Sequence, residues 1–254
     1  MVPKRTYRRF AHKGANFRIC CERFERVTRE IVRLRAVLEE YIDRDPAFAA
    51  SLAPLAVSDD APAVAERMAR AAERVGVGPM AAVAGTMAQL AAQAGLDAGA
   101  EEAIVENGGD IYLASPRPVV VALYAGASPL AGQLALDVQP HQMPLAVCSS
   151  SSKMGHSLSL GDCDLGTVVA RDAALADAAA TQAANLVRKP EDIDKALEQI
   201  AAIDGVDGVL LIQGDRIGLA GSLPRLIRHR DADLQGKVTR DRQSSWNAPA
   251  RVEE

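Results

Sequence analysis

Asn107, Gly108, Gly109 and Asp110 stand together in EEAIVENGGDIYLAS, residues 101–115, between two runs that read as strands. Two readings fit them. Asn-Gly between alternating apolar residues is a strong short-range hairpin signal, with Asn107 and Gly108 taking the positive φ that such a turn demands. Gly109 is then surplus, and Asp110 carries a charge straight into Ile111-Tyr112-Leu113. Consecutive glycines also let a backbone come close to a bulky ligand and turn its N–H groups outward, as phosphate-cradling loops do.

Two further stretches carry ligating or reactive side chains. ARDAALADAAATQAANLV sets Asp177 and Thr181 one helical turn apart on one face. A carboxylate and a hydroxyl so placed suit a hard cation such as Mg²⁺; the plainer alternative is an ordinary helix carboxylate beside a core threonine. PLAVCSSSSKMGHSLSLGDCD is the most polar stretch amid predicted strands. Cys148 reads there either as a thiolate nucleophile activated by His156 or as a buried, inert thiol. Ser149, Ser150 and Ser151 offer hydroxyls and N–H groups to an anion. Ser150-x-x-Lys153 has the spacing of a penicillin-binding nucleophile motif, but neither Ser-Asp-Asn nor Lys-Thr-Gly accompanies it, and that chemistry is set aside.

The elements that must hold these residues follow from periodicity. Residues 16–21 suit a short strand. Residues 22–43 suit a helix with Val27, Ile31, Leu34, Val37, Leu38 and Tyr41 on one face and the pairs Glu25–Arg29 and Arg35–Glu39 on the other. A second helix starts at or just after SDDAP and stops near Gly76; a third runs from about Pro79 to Gln93. Gly85 lies inside that third helix, where a glycine costs about 1 kcal/mol relative to alanine, so close packing or a ligand is expected there. Strands are expected at 101–106, 110–114, 118–124, 132–138, 144–149 and 165–170, helices at 173–187 and 190–203, and a hairpin over 208–221 turning at Gly214-Asp215. Blocks of strands between groups of helices indicate an α+β fold.

Composition narrows the function. The chain has 254 residues, 48% of them hydrophobic, and a net charge of −4, which argues against a general polyanion binder. Lys4, Arg5, Arg8, Arg9, Lys13 and Arg18 crowd the N-terminus. With few aromatics interleaved, residues 1–15 read as a solvated basic arm rather than a nucleic-acid contact. Residues 16–229 read as one domain, and the polar stretch 230–254 as a disordered tail. Cys20, Cys21, Cys148 and Cys163 show no Cys-x-x-Cys spacing, and no secretory signal is evident, so a reduced, cytoplasmic setting is expected. The uncharged stretch between Arg74 and Asp97 has few large apolar residues and reads as a buried helix, not a membrane span. A homodimer stays open.

The order GVGPMAAVAGTMAQ, VENGGDIYL, YAGASPL, PLAVCSSSSKMGHSLSLGDCD and ARDAALADAAAT, over about Phe17 to Gly221, resembles an uncharacterised family distantly related to the ApbE flavin transferases. The resemblance implies an ApbE-like, T-fold-related arrangement of two similar halves and a flavin or nucleotide ligand, FAD or FMN. It places Asn107, Gly108, Gly109 and Asp110 at the border of the nucleotide site. Asp177 and Thr181 become Mg²⁺ ligands, with a backbone carbonyl near Ala81 or Ala82 as the third. Gly78, Met80, Ala81, Gly85, Ser149, Ser150 and Ser151 complete the expected pocket, and Cys148 with His156 is its candidate reactive pair. The flavin transferases carry Lys-Gly where this chain has Ala84-Gly85, and His-x-x-Asp-Pro where it has GHSLSLGDC. Transfer of FMN from FAD to a protein threonine, Mg²⁺-dependent in those enzymes, is therefore not expected here. The resemblance also implies an alternative in sulfur assimilation into homocysteine, with Cys148 as a sulfur carrier.

Overall fold

A computed structural model of the chain describes residues 5–126, 128–153 and 161–229. The expected disordered tail, residues 230–254, and His156 lie outside the described residues. In chain order the elements are β1 (Arg8–His12), β2 (Ala15–Cys21), α1 (Phe24–Arg44), α2 (Pro46–Ala50), α3 (Ala63–Val75), α4 (Val83–Asp97), β3 (Ala103–Asn107), β4 (Asp110–Ala114), β5 (Val119–Leu123), β6 (Leu134–Val138), β7 (Leu145–Ser150), β8 (Leu165–Ala170), α5 (Ala173–Leu186), α6 (Ile193–Ala201), β9 (Val206–Gln213), β10 (Arg216–Gly221) and β11 (Arg225–Arg228). A 3-10 turn over Pro79–Ala82 leads into α4.

Eight strands form one antiparallel sheet in the order β1-β2-β3-β4-β7-β8-β9-β10, and β11-β6-β5 form a second, three-stranded sheet. Side chains alternate across each strand, and this divides the core. Val105, Tyr112, Ala146 and Cys148 face the helices, whereas Ile104, Leu113, Leu145 and Val147 face the small sheet. The result is three layers: helices, large sheet, small sheet. Each fully buried Leu, Ile or Phe, such as Ile31, Leu38 and Phe48 on the helical side, contributes about 1.5–3 kcal/mol through removal from water.

Periodicity placed the long elements to within a few residues. α1 buries Val27, Ile31, Leu34, Leu38 and Tyr41 as its pattern requires. Of its two expected surface pairs, Arg35 and Glu39 meet at 2.8 Å, but Arg35 is buried rather than solvated. Arg29 instead donates to the Glu25 carbonyl oxygen, and the Glu25 carboxylate pairs with Arg8. α3 stops at Gly76, whose φ of +85° suits a left-handed helix cap.

The basic arm is corrected. Arg8–His12 is not free but forms β1, paired with β2 from Arg8↔Ile19 to His12↔Ala15 through a Lys13-Gly14 turn. Phe10 packs against Phe17, and the Arg8 guanidinium lies 3.5 Å from the Phe24 ring centroid, so apolar contact and a cation–π pair hold the strand. β11 and the short helix α2 also lie outside the elements that periodicity marked. No single helix among the described residues is long and apolar enough to cross a membrane; α3 and the segment Pro79–Asp97 pass that test only as a pair bent by 104°.

Candidate functional site

β3 ends, β4 begins, β7 ends and β8 begins at one end of the large sheet. The Asn-Gly-Gly-Asp segment is a two-residue hairpin there, closed by Asn107↔Asp110. Its central residues are Gly108 (φ +64°) and Gly109 (φ +109°), one position later than an Asn-Gly turn would set them. Positive φ at both centres fits the twist of a tight hairpin. Gly109 is thus not surplus: the turn itself requires it. Asn107 follows Val105 and Asp110 precedes Tyr112 by two residues each, so both share the helix-facing side with Cys148.

There the three meet α4 and α5. Asp110 Oδ1 accepts the Ser149 N–H at 3.2 Å, and the Cys148 thiol stands beside the same carboxyl. Cys148 Sγ also lies 3.7 Å from the Ala173 carbonyl oxygen at the start of α5. One helical turn on, Asp177 Oδ2 accepts the Gly85 N–H at 2.8 Å. Asn107 Nδ2 donates to the Ala84 carbonyl oxygen at 3.3 Å. The first turn of a helix exposes N–H groups without intrahelical partners, and Asp177 satisfies that of Gly85 from a neighbouring helix. Close packing accounts for the interior glycine. A Cβ on Gly85 would overlap the Ala173 carbonyl oxygen and lie 2.9 Å from Asp177 Cβ. At Gly78 a Cβ would likewise overlap the Ser51 carbonyl oxygen.

Charge is scarce at this point, and burial dominates. Asp110 and Asp177 are only 6% and 8% exposed. Burial raises the Asp110 carboxyl to about 7, against the opposing Ser149 N–H. Asp177 is pushed well above the usual carboxylate range by burial and then by the Asp110 charge. Cys148, wholly buried, is likewise pushed well above its ordinary value by burial and then by Asp110 and Asp177. Two carboxyls and a thiol that all resist ionisation compete for protons.

The other expected residues spread around this centre. Met80 and Ala81 are half-buried in the turn before α4. Thr181 is half-buried on α5, one turn beyond Asp177. Most of the serine run is occupied: the Ser149 hydroxyl bonds Thr167 Oγ1 at 2.9 Å, and Ser151 Oγ, itself buried, accepts the Lys153 N–H at 3.1 Å. Ser150, half-exposed, lies on the helix-facing side two residues beyond Cys148. Sequence reasoning missed Asp164. Its carboxylate takes the Lys153 ammonium at 2.9 Å and the Gly214 N–H at 2.6 Å, tying the end of β7 to the β9–β10 turn. A contact that spans 50 residues leaves no local spacing to read. Among the described residues no three or more His, Cys, Asp or Glu side chains are grouped to hold a metal.

The architecture is that of the ApbE proteins. The structure aligns with the apo flavinyl transferase ApbE of Pseudomonas stutzeri at a TM-score of 0.54 and 11% identity, covering 87% of this chain and 96% of that one. The ApbE protein of Thermotoga maritima aligns at 0.52 and 14% identity, covering 94% and 100%. At such identities the likeness is one of fold. In sequence, residues 4–217 match the family model described as AbpE bacteria. A UPF0280 protein of Methanocella arvoryzae is 44% identical over 198 residues, 78% of this chain and 80% of that protein. Another, from Methanococcus vannielii, is 40% identical over 219 residues, 85% and 89% respectively. The chain belongs to this UPF0280 family of ApbE-related proteins.

Proposed function

We propose that the chain binds a flavin nucleotide, FAD or FMN, at the end of the large sheet bounded by Gly78–Gly85, Asn107–Asp110 and Cys148–Ser151, and that it does not transfer FMN to protein. The observation that carries this reading is the convergence of Asn107 and Asp177 on the Ala84–Gly85 peptide, with Asp110 close enough for its charge to act on Asp177. The Pseudomonas stutzeri relative in fold is a flavinyl transferase by name, which supports a flavin rather than another nucleotide. Half-exposed Gly109 and Ser150 supply polar contacts, and Met80 and Ala81 supply apolar ones. Lys153 is already neutralised by Asp164 and Asp162, so phosphate groups here rely on backbone N–H donors.

Mg²⁺ fits the same end. Asp177 and Thr181 offer oxygen donors on one helix face, the ligand type a hard cation takes. Asp177 also lies where burial and Asp110 deprive its charge of support, and a divalent cation would restore it. In this reading Asp177 and Thr181 would hold the ion, and its positive charge would offset the negative charge of ligand phosphate. A transferase would further need the lysine that Ala84 replaces. The sulfur-carrier alternative gains nothing from Cys148, a buried thiol held protonated by its surroundings. The proposed setting is the cytoplasm, where four free cysteines are at home.

Calorimetric titration of freshly purified protein with FAD, FMN and ADP, with and without Mg²⁺, tests the reading. Saturable heat with a flavin nucleotide, strengthened by Mg²⁺, is expected. No binding to any of the three would sink it. Incubation with FAD, Mg²⁺ and a threonine-bearing acceptor should give no fluorescent protein band; such a band would make the chain a transferase.

A further inference from the structure

Among the described residues the two sheets leave four free edges: β1 and β10 on the large one, β5 and β11 on the small one. An exposed strand edge is a template for another strand, and proteins commonly blunt it with charge. Three of these edges are blunted. β1 carries Arg8 and Arg9, β10 carries Arg216, and β11 carries Arg225 and Arg228. β5 reads Val-Val-Val-Ala-Leu, and no charged residue occurs between Arg117 and Asp137. It is β-branched, lacks proline within its span, and exposes Val120 at 48% on the outer face of the small sheet. This composition favours strand pairing.

We propose that β5 is a homodimer interface, pairing antiparallel with β5 of a second copy about a two-fold axis near Val121. Two-fold contacts must be self-complementary, because the same patch serves both partners. β5 meets this condition: Val119 opposes Leu123, Val120 opposes Ala122, and no like charges meet. β1 would bring arginines close to arginines, as would β11. Pro116 and Pro118 limit pairing on the N-terminal side of the strand. The pair closes as β11-β6-β5-β5-β6-β11, with an arginine-bearing strand at each outer edge, so it stops at two copies. This interface stands independently of the ligand proposed above.

Light scattering on the full chain at about 50 µM tests it. The expected mass is twice that of one chain. Val120→Lys with Ala122→Lys places lysines directly opposite one another across the axis without entering the core, and like charges so placed oppose pairing. The doubly substituted chain should show half the parent mass. Mixing it with the Val120→Glu, Ala122→Glu chain should restore the dimer, which also shows that both variants fold. A monomeric parent overturns the proposal, as does a double-lysine chain that remains dimeric or a mixture that remains monomeric.

Discussion

Replacing Asp110 by asparagine tests whether the acid pair is electrostatically strained as its burial implies. The Asp110 carboxyl lies at about 7 in the folded chain against a reference of 3.8. A carboxyl whose folded value is raised favours the folded state fully below its unfolded value and loses that contribution as pH rises through the folded one. At 1.36 kcal/mol per unit the whole span is a ceiling of about 4 kcal/mol, of which about 2 kcal/mol falls between pH 5 and pH 7. The amide of Asp110→Asn does not titrate, and its carbonyl oxygen still accepts the Ser149 N–H. The variant should therefore gain on the parent as pH rises from 5 to 8, by up to about 3 kcal/mol, or roughly 6–12 °C in melting temperature for a domain this size. Urea denaturation in the presence of a chelator, at half-unit pH steps, reads the difference. Parallel parent and variant profiles across that window would refute the reasoning.

Gly85→Ala should lower stability by about 1–3 kcal/mol despite alanine's better helix propensity, because the added methyl overlaps the Ala173 carbonyl; thermal melts report it. Gly109→Val should destabilise the β3–β4 turn, since φ of +109° is strained for a β-branched residue, and should also lower flavin affinity; melts paired with calorimetry separate the two effects. Cys148 should resist iodoacetamide in the folded protein at pH 8 and react only on unfolding, with peptide mapping to separate it from the other three cysteines; rapid labelling would revive a thiolate role. Asp177→Asn should weaken Mg²⁺ binding more than Thr181→Val, because it removes charge rather than a neutral oxygen; equal affinities in a calorimetric titration would remove both from the metal site.

What could be read from the sequence was what is local. The spacing of Val27, Ile31, Leu34, Leu38 and Tyr41 determines a helix face, and the β9–β10 turn at Gly214-Asp215 is set by its own residues. β1 was hidden because arginines on an edge strand look like a solvated arm until Phe17 and Phe24 are seen beneath them. The hairpin was legible but its centre was misplaced by one residue, since Asn107 and Gly109 compete for the same turn position. Asp177 and Thr181 share their helix by spacing alone, whereas the meeting of Asp110 with Asp177, far apart in the chain, depends on sheet order and on how α5 lies over β7.

The residues expected to bind a ligand also hold the fold together, and this changes what a loss of function at them means. Asp177 caps α4 from α5, and Asn107 anchors the same peptide from β3, so both fix where the first turn of α4 stands over the sheet. Gly85 permits that approach by having no side chain. Among the described residues, a ligand at this end of the sheet would therefore meet a surface preorganised by tertiary contacts. The same economy limits chemistry. An acid with one oxygen already serving the α4 backbone, beside a second acid and a thiol that share its burial, is suited to holding an ion or a proton in place rather than to delivering one to a substrate.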